Sequence, residues 1–382
     1  FLPFVLLLAV ACGSPGAEGN DGGDGHGTHD GDAGAPVGDA GGTAPDAGGA
    51  ADAGGQAPDA GSTPDAGSGT PDAGSVDPTP DAGTETPDAG TETPDAGPPP
   101  RTVTRFVALG DTGKDNAAQM DVANAMKTVC TNRGGCDFGI LLGDNFYPSG
   151  VAAADDAMFD SMFVKQYGQL GFPFFPALGN HDYGGDGAGY ELWRGEFQVD
   201  YSARNPQWVM PSAHHHYTQP FLDMFVLDTN TIFLIGGNDQ RTWIRQELGS
   251  APWKIAYGHH EYLSNGRHGN AGSYDWVPSL GGTMKSFVEG ELCGKVDAYL
   301  CGHDHNMQDL GEVCGTQFLV SGAGASTTEF RDAIPFVYEP NDHEWQDDSI
   351  EGFLLVEATA TTLTFTFFNK SAAQLHTRTI TK

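Results

Sequence analysis

Phe138-Gly139-Ile140-Leu141-Leu142 runs directly into Gly143-Asp144-Asn145-Phe146-Tyr147. The first five residues carry no charge and read as a short strand; the next five offer a turn glycine and then oxygen-bearing side chains. The same succession recurs along the chain. A strand predicted over Val103–Leu109 precedes Gly110-Asp111-Thr112-Gly113, and one over Lys254–Tyr257 precedes Gly258-His259-His260. A third, over Val296–Cys301, precedes Gly302-His303-Asp304-His305-Asn306, while Gly179-Asn180-His181-Asp182 follows its own apolar run. In open α/β sheets, polar groups that act together collect beyond the carboxyl ends of the strands, and these positions fit that rule.

Working outward, a further strand is expected over Met224–Leu227, with helices over Asn116–Val129, Asp155–Tyr167, Asp239–Leu248 and Pro278–Glu289. Toward the C-terminus, Gln317–Val320, Gly352–Ala358, Leu363–Phe368 and Gln374–Thr379 read as consecutive strands of a second sheet. The expectation is an α/β domain over residues 101–382, in which two mixed β-sheets pack as a sandwich flanked by helices.

Composition changes sharply near residue 101. Residues 1–100 contain no Lys or Arg, and 17 acids lie between residues 13 and 100, leaving 34 acids against 18 bases in the remainder. Pro-Asp-Ala-Gly recurs from Pro45, Pro58, Pro64, Pro71, Pro80, Pro87 and Pro94. A segment of Gly, Ala, Asp, Pro and Thr cannot bury enough apolar surface to offset its ordering entropy, so residues 13–100 are expected to be a disordered acidic tether. Proline and like-charge repulsion keep such a tether extended. Before it, Phe4 to Ala11 is apolar and ends at Cys12, which reads as the core of an export signal, without its true start. Ala9-Val10-Ala11-Cys12 resembles a bacterial lipobox and would make Cys12 a lipid anchor, the chain's one link to a membrane. No basic patch with interleaved aromatics is present, and the acidic field repels polyanions, so nucleic acid is not an expected partner. A monomer is expected.

The other cysteines are Cys130, Cys136, Cys293, Cys301 and Cys314. In an exported chain Cys130 could pair with Cys136 and Cys293 with Cys314, leaving Cys301 as a buried thiol in the run Ala298-Tyr299-Leu300-Cys301. No Cys-x-x-Cys pattern suggests a zinc site.

Singly, the polar segments say little. Gly-Asp after a strand is ordinarily a turn, a Tyr after a strand is ordinarily core, and a loop His is ordinarily solvated. Gly302-His303-Asp304-His305 is more specific, because His at i and i+2 can serve neighbouring metals while Asp304 points away. All five segments together, each behind an apolar run, point to a pair of metal ions.

With these residues in view, the chain resembles the calcineurin-like metallophosphoesterases, and within them the small, tartrate-resistant type of purple acid phosphatase. Gly143-Asp144-Asn145-Phe146-Tyr147, Tyr299 to Asn306 and Ser321-Gly322-Ala323-Gly324 carry the likeness, which covers residues 103 to about 380. The resemblance implies Fe(III) held by Asp111, Asp144, Tyr147 and His305. It implies a divalent Fe, Zn or Mn held by Asp144, Asn180, His259 and His303, with Asp144 shared. Hard carboxylate and phenolate oxygens suit the trivalent ion, and an amide oxygen with two imidazoles suits the divalent one. Gly113 stands where related phosphodiesterases carry a His, and Tyr147 is placed to replace it. The resemblance also matches His181 and His268 to histidines that face substrate, His181 as principal acid and His268 as helper, with Asp182 orienting His181.

Some residues depart from the animal enzymes. Thr112 replaces a Trp and Glu261 a Pro, and both are expected to line the mouth. His214-His215-His216-Tyr217 reads as strand with solvent-facing histidines, His214 and His216 on one side, and the acidic run Glu339–Asp348 as a solvated rim. The leading expectation is an exported acid phosphatase, displayed as a lipoprotein at the cell envelope or surface and open to release from its tether. It would hydrolyse small phosphomonoesters with a metal-bound hydroxide. A phosphodiesterase or nucleotidase with the same metals, and a tethered surface binding protein without catalysis, are the alternatives.

Overall fold

A computed structural model describes residues 102–334 and 338–382. The expectations for the export signal, Cys12 and the acidic tether lie outside the described residues.

Thirteen strands form two mixed sheets. The six-stranded sheet has the order β13-β12-β11-β1-β2-β3, built from β1 (Thr104–Leu109), β2 (Phe138–Leu142), β3 (Phe174–Ala177), β11 (Gly352–Ala358), β12 (Thr362–Asn369) and β13 (Gln374–Thr381). The seven-stranded sheet has the order β10-β8-β9-β7-β6-β5-β4. Its strands are β4 (His215–Gln219), β5 (Leu222–Val226), β6 (Trp253–Tyr257), β7 (Ala298–Cys301), β8 (Met307–Val313), β9 (Thr316–Ser321) and β10 (Trp345–Asp347).

Strand alternation explains how the layers assemble. Phe106 and Ala108 of β1, Phe138, Ile140 and Leu142 of β2, and Met224, Ile255 and Leu300 from the other sheet share one core between the sheets. The intervening residues Val107, Leu109 and Leu141 face outward and are covered by Val122, Met126 and Val129 of the helix Ala117–Asn132. On the far side Phe225, Ala256, Tyr299 and Val320 are covered by Ile232, Ile244, Met284 and Phe287. Both faces of each central strand are therefore buried, which is why these strands read as unbroken apolar runs. Truncating one such side chain to Ala typically costs about 2–5 kcal/mol, well above any difference in local propensity, so packing decides these elements. The helix Ala117–Asn132 starts where Asn116 accepts a hydrogen bond from the Gln119 N–H at 2.9 Å, a cap worth about 1 kcal/mol.

Disulfides join Cys130 to Cys136 and Cys293 to Cys314, and Cys301 is a buried free thiol, as expected. Other details differ. The predicted helix over Asp155–Tyr167 begins only at Phe159, as a π-type turn over Phe159–Val164, and the one over Pro278–Glu289 begins at Gly282. Strands β3, β8 and β10 were not expected. β10 lies inside the acidic run Glu339–Asp348, of which only Glu339 to Glu344 forms an exposed rim segment, because Trp345–Asp347 pairs antiparallel with β8.

The histidine run alternates as predicted, but its two outward histidines, His214 and His216, are half-buried instead of freely solvated. His216 stacks on Phe225 at 4.8 Å and lies 3.5 Å from Glu247, while His214 meets the edge of Trp243 at 5.1 Å, so both pack against the helix Asn238–Glu247. His215 turns the other way and is buried; burial pushes its imidazole down to about 4. An imidazole that protonates near 4 when folded and near 6.5 when unfolded leaves the unfolded chain binding more protons as pH falls through 6.5. Stability should therefore decline from pH 6.5 toward 4, by up to about 3 kcal/mol from this group. His215→Leu should flatten that part of a plot of melting temperature against pH, and parallel curves for the two proteins would refute the assignment.

Candidate metal centre

The loops following β1, β2, β3, β6 and β7 meet at one edge of the sandwich, and backbone hydrogen bonds stitch them together. Asp111 N–H donates to Gly143 O at 3.0 Å, Gly302 N–H to His259 O at 3.1 Å, and Tyr147 N–H to Gly113 O at 3.0 Å. Asp111, Asp144 and His303 adopt left-handed backbone conformations, with φ of 61°, 53° and 68°. Each such non-glycine residue costs about 1–3 kcal/mol and persists only where its surroundings hold it. Here the holding groups are visible: His303 N–H donates to Asp111 Oδ2 and His181 N–H to Asp144 Oδ1, both at 2.9 Å.

The glycines beside the candidate ligands have a steric origin. A Cβ on Gly179 would lie 2.2 Å from Asp144 Oδ1, and one on Gly302 2.5 Å from Asp111 Oδ2. A side chain at either position would occupy the space of a carboxylate.

All the residues predicted as metal ligands converge, in two groups that share Asp144. In the first, Tyr147 Oη lies 3.1 Å from both Asp111 Oδ1 and His305 Nε2, His305 Nε2 lies 3.4 Å from Asp111 Oδ1, and the Tyr147 phenol also faces the Asp144 carboxylate. In the second, His259 Nε2 lies 2.9 Å from Asn180 Oδ1, 3.0 Å from His303 Nδ1 and 3.4 Å from Asp144 Oδ1. Donor atoms of Asp111, Asp144 and His259 all fall within 4.8 Å of one another.

Hydrogen bonds around the second group set where its lone pairs point. His259 Nδ1 donates to Leu142 O at 2.9 Å, which leaves a lone pair on Nε2, and Asn180 Nδ2 donates to Gly187 O at 2.7 Å, which turns its oxygen inward. Lone pairs of His259 Nε2, Asn180 Oδ1 and Asp144 Oδ1 thus turn toward one another, with His303 Nδ1 beside His259 Nε2, and a cation among them would satisfy all three. In the other group burial, followed by the Asp111 and Asp144 carboxylates, pushes the Tyr147 phenol well above its ordinary range. A phenolate can form there only against a strongly positive ion. At Asp144 burial raises the carboxyl, but positive charge on the His259 and His181 imidazoles and the His181 N–H outweigh it and hold it at about 2; a metal ion on the His259 lone pair would supply that charge in place of a proton. The donor set fits two metal ions.

His181 lies over the Tyr147 ring at 4.4 Å; its Nδ1 donates to Pro148 O at 2.6 Å, which directs Nε2 toward Asp144 Oδ2, 4.0 Å away. His268 stacks on His303 at 4.0 Å and bonds Asp275 Oδ1 through Nδ1 at 3.0 Å. Burial lowers its pKa, but the Asp275 bond and the charges of Asp304, Asp275 and Asp111 outweigh that and hold it above the ordinary value. Both histidines stand beside the centre.

Asp182 does not orient the His181 ring. Its carboxylate accepts from the N–H groups of Asn145, Phe146 and Gly179 at 2.8–3.1 Å, and so clamps the loop after β2 to the loop after β3. Asp304 points away from the centre, as expected, and receives Ser264 Oγ at 2.5 Å and His268 N–H at 2.9 Å, which fixes the loop carrying His268.

Neither departure from the animal pattern lines a mouth. Thr112 is buried and hydrogen-bonds Tyr167. Glu261 is wholly buried, neither carboxyl oxygen has a hydrogen-bond partner among the described residues, and burial followed by the Asp304 charge pushes it well above the carboxylate range. Two contributors escaped the sequence reading. Lys114 sits over the Tyr147 ring at 4.7 Å, and Ser326 lies 3.1 Å from His305 Nδ1. A Lys three residues after Asp111, in a region short of bases, was the available signal for the first; for Ser326 there was none.

Residues 104–307 match the model of the calcineurin-like phosphoesterases. Tartrate-resistant acid phosphatase type 5 of Sus scrofa is 28% identical over 319 residues, covering 72% of this chain and 86% of the pig protein. Purple acid phosphatase 3 of Arabidopsis thaliana is 27% identical over 296 residues, 71% of this chain and 76% of the plant protein. Among solved structures, GAP50, the anchor in the inner membrane complex of Plasmodium, aligns with a TM-score of 0.59 over 74% of this chain and 89% of its own, at 19% identity, a likeness of fold. The family match spans more than half of the chain and encloses every candidate ligand from Asp111 to His305: the chain belongs to the calcineurin-like phosphoesterase family.

Proposed function

We propose that this phosphoesterase is a dinuclear-metal acid phosphatase that hydrolyses small phosphomonoesters. The observation that carries the reading is the sharing of Asp144 between two sets of inward-facing donors. Asp111, Asp144, Tyr147 and His305 hold trivalent iron, and Asp144, Asn180, His259 and His303 hold a divalent Fe, Zn or Mn. The two ions together supply Lewis-acid binding of the phosphate and acidification of a water. The relatives' names, tartrate-resistant and purple acid phosphatase, support the monoester assignment.

The chain's own residues supply the rest. With Nδ1 committed to Pro148 O, a protonated His181 presents Nε2–H to the leaving oxygen; as the phosphorus–oxygen bond breaks, that proton passes to the alkoxide. His268, tied to Asp275 and held above its ordinary pKa, presents positive charge beside His303 and assists in binding phosphate oxygens.

A phosphodiesterase or nucleotidase would use the same donors. The Plasmodium anchor has this fold too, so fold alone does not separate an enzyme from a tethered surface protein; the complete donor set favours the enzyme. Two disulfides among the described residues fit an oxidising compartment, and we place the protein at the cell envelope, lipid-anchored through Cys12.

The purified protein should be purple, with two metal ions per chain. Asp144→Ala should lose both ions and at least about 10³-fold in kcat/KM; retained hydrolysis would overturn the shared-carboxylate assignment. An aryl phosphomonoester should be turned over faster than the corresponding diester, with its optimum below pH 7, and a strong diester preference would replace acid phosphatase by phosphodiesterase. His181→Ala should lower kcat by about 10²–10⁴-fold for an alkyl phosphate and much less for a nitrophenyl phosphate, whose leaving group needs no proton. Equal losses on the two substrates would remove His181 as the acid.

A further inference from the structure

Lys114 makes a different kind of contact from the paired surface lysines. Lys165, Lys370 and Lys382 each pair with a carboxylate, Asp115, Glu351 and Asp297 respectively. Lys114 lies within 4.0 Å of no carboxylate oxygen among the described residues; instead Nζ is 2.7 Å from Ser326 Oγ and 4.7 Å from the centroid of the Tyr147 ring. Both contacts reach the Tyr147–His305 half of the centre, because Ser326 Oγ is 3.1 Å from His305 Nδ1 and His305 Nε2 is 3.1 Å from Tyr147 Oη.

Hydrogen-bond chemistry fixes the direction of these contacts. An ammonium only donates, so Ser326 Oγ accepts from Lys114. If His305 ligates through Nε2, as the dinuclear reading requires, its ring proton resides on Nδ1, and Ser326 Oγ, 3.1 Å away, accepts that one as well. The hydroxyl thereby locks the His305 tautomer with the Nε2 lone pair inward. The three loops involved are joined through their backbones: Lys114 N–H donates to Thr112 O at 2.7 Å, Tyr147 N–H to Gly113 O at 3.0 Å and Gly324 N–H to Gly110 O at 3.2 Å, while Asn116 Nδ2 reaches Ala325 O at 2.9 Å.

We propose that Lys114 and Ser326 are positioning residues for the trivalent-metal half of the centre: Ser326 sets the ligating tautomer of His305, and the Lys114 ammonium on the Tyr147 ring restrains electron donation by the phenolate. This rests on the dinuclear reading above. A phenolate-to-iron transition moves electron density off the ring; a cation beside the ring stabilises the electron-rich ground state and raises the transition energy. Removing that cation lowers it.

The test uses the metal-loaded protein with Lys114→Met, Ser326→Ala and Ser326→Thr, read by visible spectrum, by metal content under chelator challenge and by circular dichroism for folding. Lys114→Met should move the visible band to longer wavelength. Ser326→Ala should hold metal about 10- to 100-fold more weakly, as is usual when an orienting partner of a ligand is lost, and Ser326→Thr, which keeps the hydroxyl, should restore retention. An unmoved band in Lys114→Met removes Lys114 from this role, and wild-type retention in Ser326→Ala removes Ser326. If Ser326→Ala misfolds, Ser326→Thr and Lys114→Met still decide, since a folded Ser326→Thr with weakened retention also contradicts the hydroxyl's role. A colourless wild-type protein refutes ferric Tyr147 coordination and, with it, the tuning by Lys114. The Ser326 half is then decided by chelator retention of whichever metal is held.

Discussion

Asp144 is a carboxylate taken almost wholly out of water at the edge where the strand ends of both sheets converge. An isolated buried charge costs several kcal/mol even after local relaxation, so a fold that places one there must surround it with compensation. The compensation comes from distant parts of the chain: the N–H of His181, the imidazole of His259 and the phenol of Tyr147. Each can arrive only if β2, β3 and β6 end level with one another in two different sheets. The arrangement of the sandwich is in this sense the arrangement that makes one carboxylate bearable, and the inward lone pairs of Asn180 and His259 leave the remaining deficit to positive ions.

Around that point a second tier of buried acids does structural work without entering the centre. Asp182 gathers backbone N–H groups from the loops after β2 and β3, and Asp304 gathers the loop that carries His268. Carboxylates suit this task because one group can accept several N–H donors at once, and loops rich in glycine have many to offer. Glu261 is the exception, buried beside Asp304 with neither oxygen satisfied, and the structure gives no account of why an acid stands there.

The strands β1, β2, β6 and β7, and the polar residues behind them, were readable from sequence because those strands are buried on both faces and stop abruptly at a glycine and a polar side chain. The convergence of the candidate ligands was readable for the same reason, and the family resemblance alone suggested which of them would serve which ion. What stayed hidden was polar and buried. β8 carries Gln308 and Asp309 in its interior, satisfied by Ser264, Asn265 and His376 from far along the chain, so its pattern does not look like a strand. β10 looked like an acidic rim because the partners that hold it, β8 on its edge and Phe367 and His376 against Trp345, lie far from it in sequence. Thr112 and Glu261 were misplaced because adjacency to a ligand in sequence does not say on which side of the ligand a side chain falls. Lys114 and Ser326 were missed because their meaning lies in each other's position.

The left-handed backbone at Asp111, Asp144 and His303 has a consequence for selectivity as well as for energy. These turns are held by hydrogen bonds among the protein's own groups. Ligands whose spacing is set by the fold resist moving, so ions whose size does not suit that spacing are disfavoured.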